Sequence, residues 1–284
     1  MRHRGLWGIA AVAFWMAACR WMPGLAAHWR GAATAALQAL NRGTSALPFP
    51  VLEPMALGAV CLSLGRGGRK RLAAALMIAA GVYAALWYPL YFAEPMIRRP
   101  EPDVRALESL CEDLVNAPDA SEADLPPDGG DGAKLARYPE WMAALGISGL
   151  FSPWTGEVIL DPGLSPAFAP FTRVHESMHL RGVADEGAAN IAAYVECMER
   201  GGAYADSARL WALRYALGAL ARRDGAAYQR ALDRLPPALT GRLQLRDVEK
   251  PVRAHPLARL LGIAFQTTDY DALVRWLAEG EHLD

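Results

Sequence analysis

The sequence predicts a mainly α protein, with an N-terminal three-helix transmembrane region followed by a mostly helical domain that carries a small β element. Three observations lead there. Apolar residues crowd the chain before residue 95, nearly all the acidic residues follow it, and from Pro170 onward apolar residues recur at helical spacing almost to the end. A length of 284 residues is enough to bury a sizeable core. The formal net charge of −1 argues against a nucleic-acid partner, which would need a basic face.

The membrane region is expected over residues 1–97, with spans at about 5–22, 46–65 and 72–92. Residues 72–92, "LAAALMIAAGVYAALWYPLYF", carry no charge, and roughly 20 apolar residues at 1.5 Å each cross a hydrocarbon core of roughly 30 Å. Trp87, Tyr88, Tyr91 and Phe92 cluster at one end, as an interfacial belt would. The first stretch, "GLWGIAAVAFWMAAC", stops at Arg20, whose long side chain can snorkel to the interface. The middle stretch, 46–65, is interrupted by Glu53 and three prolines. A competing reading of the start is a lipoprotein signal ending at Cys19, which two further spans argue against.

Orientation follows from basic residues. "RGGRKR", 66–71, lies between the second and third spans, and Arg2 and Arg4 precede the first, so both belong in the cytoplasm. Residues 98–284 are then extracytoplasmic, in a multi-pass protein of the cell membrane whose first partner is the lipid bilayer. Arg98 and Arg99 stand on the wrong side for this topology. In an exported domain Cys111 and Cys197 can form a disulfide, or remain two buried free thiols.

Within the outer domain, Val104, Leu107, Leu110 and Leu114 mark a helix over 103–116. Residues at about 117–133 are rich in Pro, Gly and Asp and read as a flexible loop. "GISGLFSPWTGEVILDP", 146–162, has short apolar runs separated by turn residues, the pattern of strands. Breaks at Gly182, Gly201-Gly202, Gly225 and Pro236-Pro237 divide the helical remainder.

The chemistry concentrates in "RVHESMHLRG", 173–182. Positions four apart share a helix face, so His175 and His179 can grip one zinc ion, with Glu176 placed to act on its bound water. Zinc brings the pKa of that water to roughly 7, and a glutamate base can take its proton as it attacks a peptide carbonyl. The competing view is a solvated amphipathic helix, but Pro170 begins the segment and Gly182 closes it as a dedicated short helix would. A catalytic zinc wants a third protein ligand. Asp185 offers one in the tight glycine-turn spacing, yet also suits the N-cap of the next helix. Glu186 offers the other. Along "EGAANIAAY", Glu186, Asn190 and Tyr194 share a face: a carboxylate ligand, an amide to hydrogen-bond a ligand imidazole, and a phenol to steady an oxyanion. Tyr194 is equally well explained as a core aromatic. The spacing favours Glu186.

These stretches resemble the bacterial membrane proteins grouped as domain-of-unknown-function family 3810, which look like gluzincin-type zinc metallopeptidases behind a few membrane spans. The resemblance runs through "LWYPLYF", "GISG…PWTGE", the motif and the closing "HPLARLLGIAFQTTDYDALVRWL", and is densest over 146–197. It implies a zincin-like fold for 98–284, with His175, His179 and Glu186 as zinc ligands and Glu176 as general base. Ala189 and Asn190 occupy family positions as well, whereas Ala188 stands where relatives often carry a second acid. The expectation is a membrane-anchored zinc endopeptidase acting on a peptide or protein substrate, with 146–161 as an edge strand pairing that substrate. The alternative is a non-catalytic zinc- or peptide-binding module regulating a membrane partner. A transporter-like role is disfavoured by the absence of a repeated half or an intramembrane charge pair.

Overall fold

The computed structural model describes residues 2–65, 67–93, 99–116, 132–243, 259 and 269–280. Most of the expected loop at 117–133, Arg66 and Arg98, and most of the closing segment 255–268 lie outside the described residues. The chain is mainly helical with one small sheet, and it divides into two compact units. The first comprises Met1–Met96, Asp128–Leu164 and Glu176–Ala184; the second comprises Ile97–Pro127, Ser165–His175 and Asp185–Asp284.

The first unit opens with α1 (Arg2–Trp21) and α2 (Pro23–Ser45), followed by α3 (Leu52–Ser63), α4 (Gly68–Leu86) and a 3-10 turn (Tyr88–Phe92). One apolar segment, Gly68–Phe92, has the length to cross a membrane: 25 residues, containing an 18-residue apolar stretch of which only 22% is buried. A core helix of a water-soluble protein would be mostly buried instead. α1 from Trp7 onward and α2 pass the same test only together, bent by 112°. α3 has 12 residues, about 18 Å, against a core of roughly 30 Å. Residues 46–51 stay outside it, where Pro48 and Pro50 resist helix, and Gly65 and Gly67 follow it at φ +76° and +79°. So one helix, or two if the bent pair is a single broken span, meets the requirement among the described residues, where the sequence reading expected three.

Carbonyls at the end of α4 have no helical N–H to accept. Trp15 Nε1 donates to Ala84 O at 2.8 Å and Trp29 Nε1 to Ala85 O at 2.7 Å, which ties α1 and α2 to that end. The sheet comprises β1 (Lys134–Leu135), β2 (Gly149–Ser152) and β3 (Glu157–Leu160), in the order β1-β3-β2. β1 runs parallel to β3, with Lys134 opposite Ile159; β2 is antiparallel to it, with Ser152 opposite Glu157. Of the expected strand stretch, Gly149–Ser152 is therefore at a sheet edge, while Glu157–Leu160 is central and paired on both sides. α6 (Glu140–Leu145) connects β1 to β2. Trp87, Leu90, Phe151, Val158 and Leu160 bury against Ala33 and Leu37 of α2. That contact is close: a Cβ on Gly156 would stand 2.5 Å from Leu37 O.

A buried ion pair secures this unit. Lys134 Nζ donates to Glu157 Oε1 at 2.7 Å, to Thr44 O at 2.7 Å and to Phe49 O at 3.0 Å, which uses all three of its protons. The Glu157 carboxylate also accepts from the N–H groups of Val51 and Leu52. The sequence alone ties none of these segments together.

The second unit is helical: α5 (Val104–Asn116), α8 (Glu186–Arg200), α9 (Gly202–Arg223), α10 (Gly225–Asp233), α11 (Pro237–Arg242) and α12 (Ala272–Ala278). The helix ends fall where the glycine and proline breaks predict. α9 supplies the core, buried through Leu210, Leu213, Leu217 and Leu220. Cys111 and Cys197 are free and buried, not bridged. Burial, aided by Glu108 and Glu112, pushes the Cys111 thiol up to about 12; burial does the same to Cys197, with Arg200 opposing. α7 (Ala169–Leu180) is one unbroken helix whose residues belong to both units.

Candidate metal centre

α7 carries the motif, and its C-terminus is shaped by Gly182. At φ +91° this glycine adopts the left-handed conformation that ends a helix. Val183 N–H then reaches back to Met178 O at 3.1 Å, and Gly182 N–H to His179 O at 2.9 Å, the paired bonds of a Schellman turn. The turn brings Val183 O within 2.6 Å of His179 Nδ1. A carbonyl only accepts, so Nδ1 carries the proton and the lone pair of the neutral ring lies on Nε2, the atom a metal would take.

Aromatic rings hold both imidazoles. Trp87 meets His179 edge to face at 5.7 Å between centroids, and Phe151 lies 6.4 Å from it. Phe171 stands 6.3 Å from His175. Both histidines and Glu176 are buried, at 8%, 4% and 6% exposure, which rules out a solvated helix face. The sequence reading did not find these aromatic supports. For Trp87 no local signal existed, because it also reads as part of a membrane belt.

Asp185 opens α8 as its N-cap, accepting from Ala188 N–H at 2.7 Å. Burial pushes its carboxyl up, with the Ala188 bond pulling it down. The next residue, Glu186, turns its Oε2 to 3.2 Å from His175 Nε2. One ligand atom each from His175, His179 and Glu186 all lie within 4.8 Å of one another. Ligand atoms sharing one tetrahedral zinc with bonds near 2 Å stand roughly 3.3 Å apart. The His175–Glu186 separation matches that edge, and two imidazoles with a carboxylate are a donor set that zinc accepts.

The remaining members of the expected site are placed differently. Asn190, one turn after Glu186, is fully buried, and among the described residues neither its amide nitrogen nor its amide oxygen finds a hydrogen-bond partner. The expected bond from this amide to a ligand imidazole is not made. Tyr194 is also buried, and its ring meets Trp276 edge to face at 6.2 Å. Its Cα lies about 12 Å along α8 from that of Glu186, and its contact is one of the helical core.

Residues 128–249 match the family model described as "Protein of unknown function (DUF3810)". The match takes in the sheet, α7 and α8, so it supports the family assignment over the segment that builds the site. It brings no activity with it. No curated protein matches the chain, and no solved structure does.

Proposed function

We propose that the protein is a membrane-anchored zinc-dependent peptidase. One observation carries the reading: His175, His179 and Glu186 present converging ligand atoms, and Glu176 follows His175 directly on the same buried helix. Zinc bound there would polarise a water and a substrate carbonyl. His175 and His179 would hold it through ring nitrogens, and Glu186 would add the charge that tightens it. Glu176 takes the proton of the attacking water and delivers it to the leaving amine.

Gly68–Phe92 serves as the anchor, and Arg69, Lys70 and Arg71 at its start favour a cytoplasmic origin, which puts the site on the extracytoplasmic side. An export-dependent reporter fused after residue 100 should be active and one fused at residue 68 silent; the reverse result removes this topology.

The test of function uses the purified full chain. It should carry one zinc, lose it in His175→Ala, and cleave members of a broad peptide library that Glu176→Gln leaves intact. Zinc without cleavage of either free or membrane-anchored peptides in the wild type would favour a non-catalytic metal module. A folded chain that takes up no zinc removes both readings.

A further inference from the structure

The segment Gly68–Phe92 leaves most of its surface outside the protein, including Leu76, Met77 and Ile78 at 58%, 37% and 69% exposure. An apolar row of this kind belongs in lipid. Trp87 lies near one end of the segment, at the level where aromatic belts meet the lipid headgroups, and its ring packs on His179. The metal ligand is thus in contact with the span itself.

The β2–β3 turn reaches further along the same helix. Trp154, at its tip, donates from Nε1 to Ala79 O at 2.9 Å and stacks on Tyr83 at 6.1 Å. Ala79 lies eight residues before Trp87, about 12 Å along α4 toward the apolar middle of the span. Non-helical backbone at such depth must have its polar groups satisfied by protein. The turn meets that demand: Gly156 O accepts from Asn41 Nδ2 at 2.8 Å, Thr155 O from Thr44 Oγ1 at 3.3 Å, and Gly156 N–H donates to Ser152 O at 2.8 Å. The indole of Trp154 remains 37% exposed beside the apolar helix.

We infer that the site works at the bilayer surface, on extended segments of membrane-anchored polypeptides rather than on free peptides. This rests on the peptidase reading and names its substrate class. The hairpin that runs down the span also carries the edge strand Gly149–Ser152, whose Phe151 ring lies 6.4 Å from that of His179, so a chain leaving the membrane in extended form meets a pairing edge beside the metal ligand. Anchoring in the same bilayer raises the effective concentration of such a segment into a range no dilute soluble peptide reaches.

The test reconstitutes the full chain in liposomes with one cleavable sequence in two forms, free and fused to a single membrane anchor through spacers of increasing length. The anchored form with a short spacer should be cleaved at least about 100-fold more efficiently, and the advantage should fall as the spacer lengthens. Equal cleavage of both forms overturns this inference and leaves the peptidase reading standing. Cleavage of neither form by the zinc-loaded protein overturns the peptidase reading. An independent measurement is quenching of tryptophan emission by lipids spin-labelled in the acyl chain, comparing the wild type with Trp154→Phe and with Trp29→Phe as a shallow reference. The signal lost in Trp154→Phe should be the strongly quenched one. An unquenched Trp154 signal places the hairpin outside the lipid and overturns the inference by a route that needs no activity.

Discussion

His179 donates its Nδ1 proton to Val183 O across 2.6 Å, and Gly182, the residue between the helix and that carbonyl, makes the bond possible. At φ +91° a side chain at position 182 is strained, and its Cβ would stand 2.4 Å from Thr34 Oγ1. Gly182→Ala should therefore cost about 1–2 kcal/mol of stability. By freeing the imidazole it should also lower zinc affinity about 10- to 100-fold. Adding Thr34→Ala relieves the clash but not the dihedral, so it should recover part of the stability and little of the affinity. Calorimetric zinc titrations and thermal melts of the full chain read both, and unchanged zinc binding in Gly182→Ala would remove the link between turn and metal.

The two neighbouring acids should separate cleanly. Glu186→Ala removes a charged ligand and should cost most of the zinc affinity. Asp185→Ala should leave zinc bound and cost about 1 kcal/mol through the lost cap on Ala188 N–H. Competition with a chelator of known affinity gives the first number and denaturant melts the second. Metal loss in Asp185→Ala with retention in Glu186→Ala would reverse the two roles.

Some of this architecture is legible from local pattern and some is not. The histidine pair, Gly182, the Asp185 cap and the ends of α8 to α10 depend on residues within a few positions of one another, so spacing reveals them. α2 carries no such local pattern, because its buried positions Ala26, Ala33 and Leu37 are few and widely spaced. The residues that bury Ala33 and Leu37, Trp87 and Leu90 as well as Phe151, Val158 and Leu160 of the hairpin, lie fifty or more positions away in sequence. The two-residue strand β1 exists only through its pairing with β3. Asn190 shares a face of α8 with Glu186 and Tyr194 by spacing, but its burial and its hydrogen bonding depend on distances that a shared helix face does not fix. The thiols at 111 and 197 could not be read as bridged or free from spacing, because pairing is decided by the packing of α5 and α8 around α9.

Asn190 makes a prediction of its own. A buried amide with no partner costs roughly 1–3 kcal/mol, and an apolar residue of similar shape removes that cost. Asn190→Leu should hold or raise the melting temperature of the zinc-free protein. If the amide serves the loaded site, the same change should shrink the rise in melting temperature that zinc produces. Destabilisation of the zinc-free form by several kcal/mol would show that the amide has a structural partner.

The Lys134–Glu157 pair should be among the most sensitive positions outside the site. Removing one member of a buried, fully bonded pair leaves the other charge uncompensated, at a cost of about 3–5 kcal/mol. Lys134→Met and Glu157→Gln should each lower the melting temperature sharply, and the double substitution should cost less than the sum of the two. Additive losses in that double-mutant cycle would mean that the two side chains act separately.

Alkaline pH tests the buried thiols. Cys111 and Cys197 titrate at about 12 in the folded chain, against 9.0 for an ordinary thiol. Between those values the unfolded chain has released protons that the folded one retains. Their contribution is therefore fully present below about pH 9 and is lost as pH rises from there toward 12. Each thiol can remove up to about 1.4 kcal/mol per pH unit in that window. Cys111→Ala and Cys197→Ala should each flatten the decline, measured by denaturant unfolding from pH 8 to 10.5. In the native state at pH 8 both thiols should resist a maleimide that labels them readily once the chain is unfolded. Rapid native labelling at either position, or a decline unchanged by both substitutions, would show that these thiols are not held in the protonated, buried state.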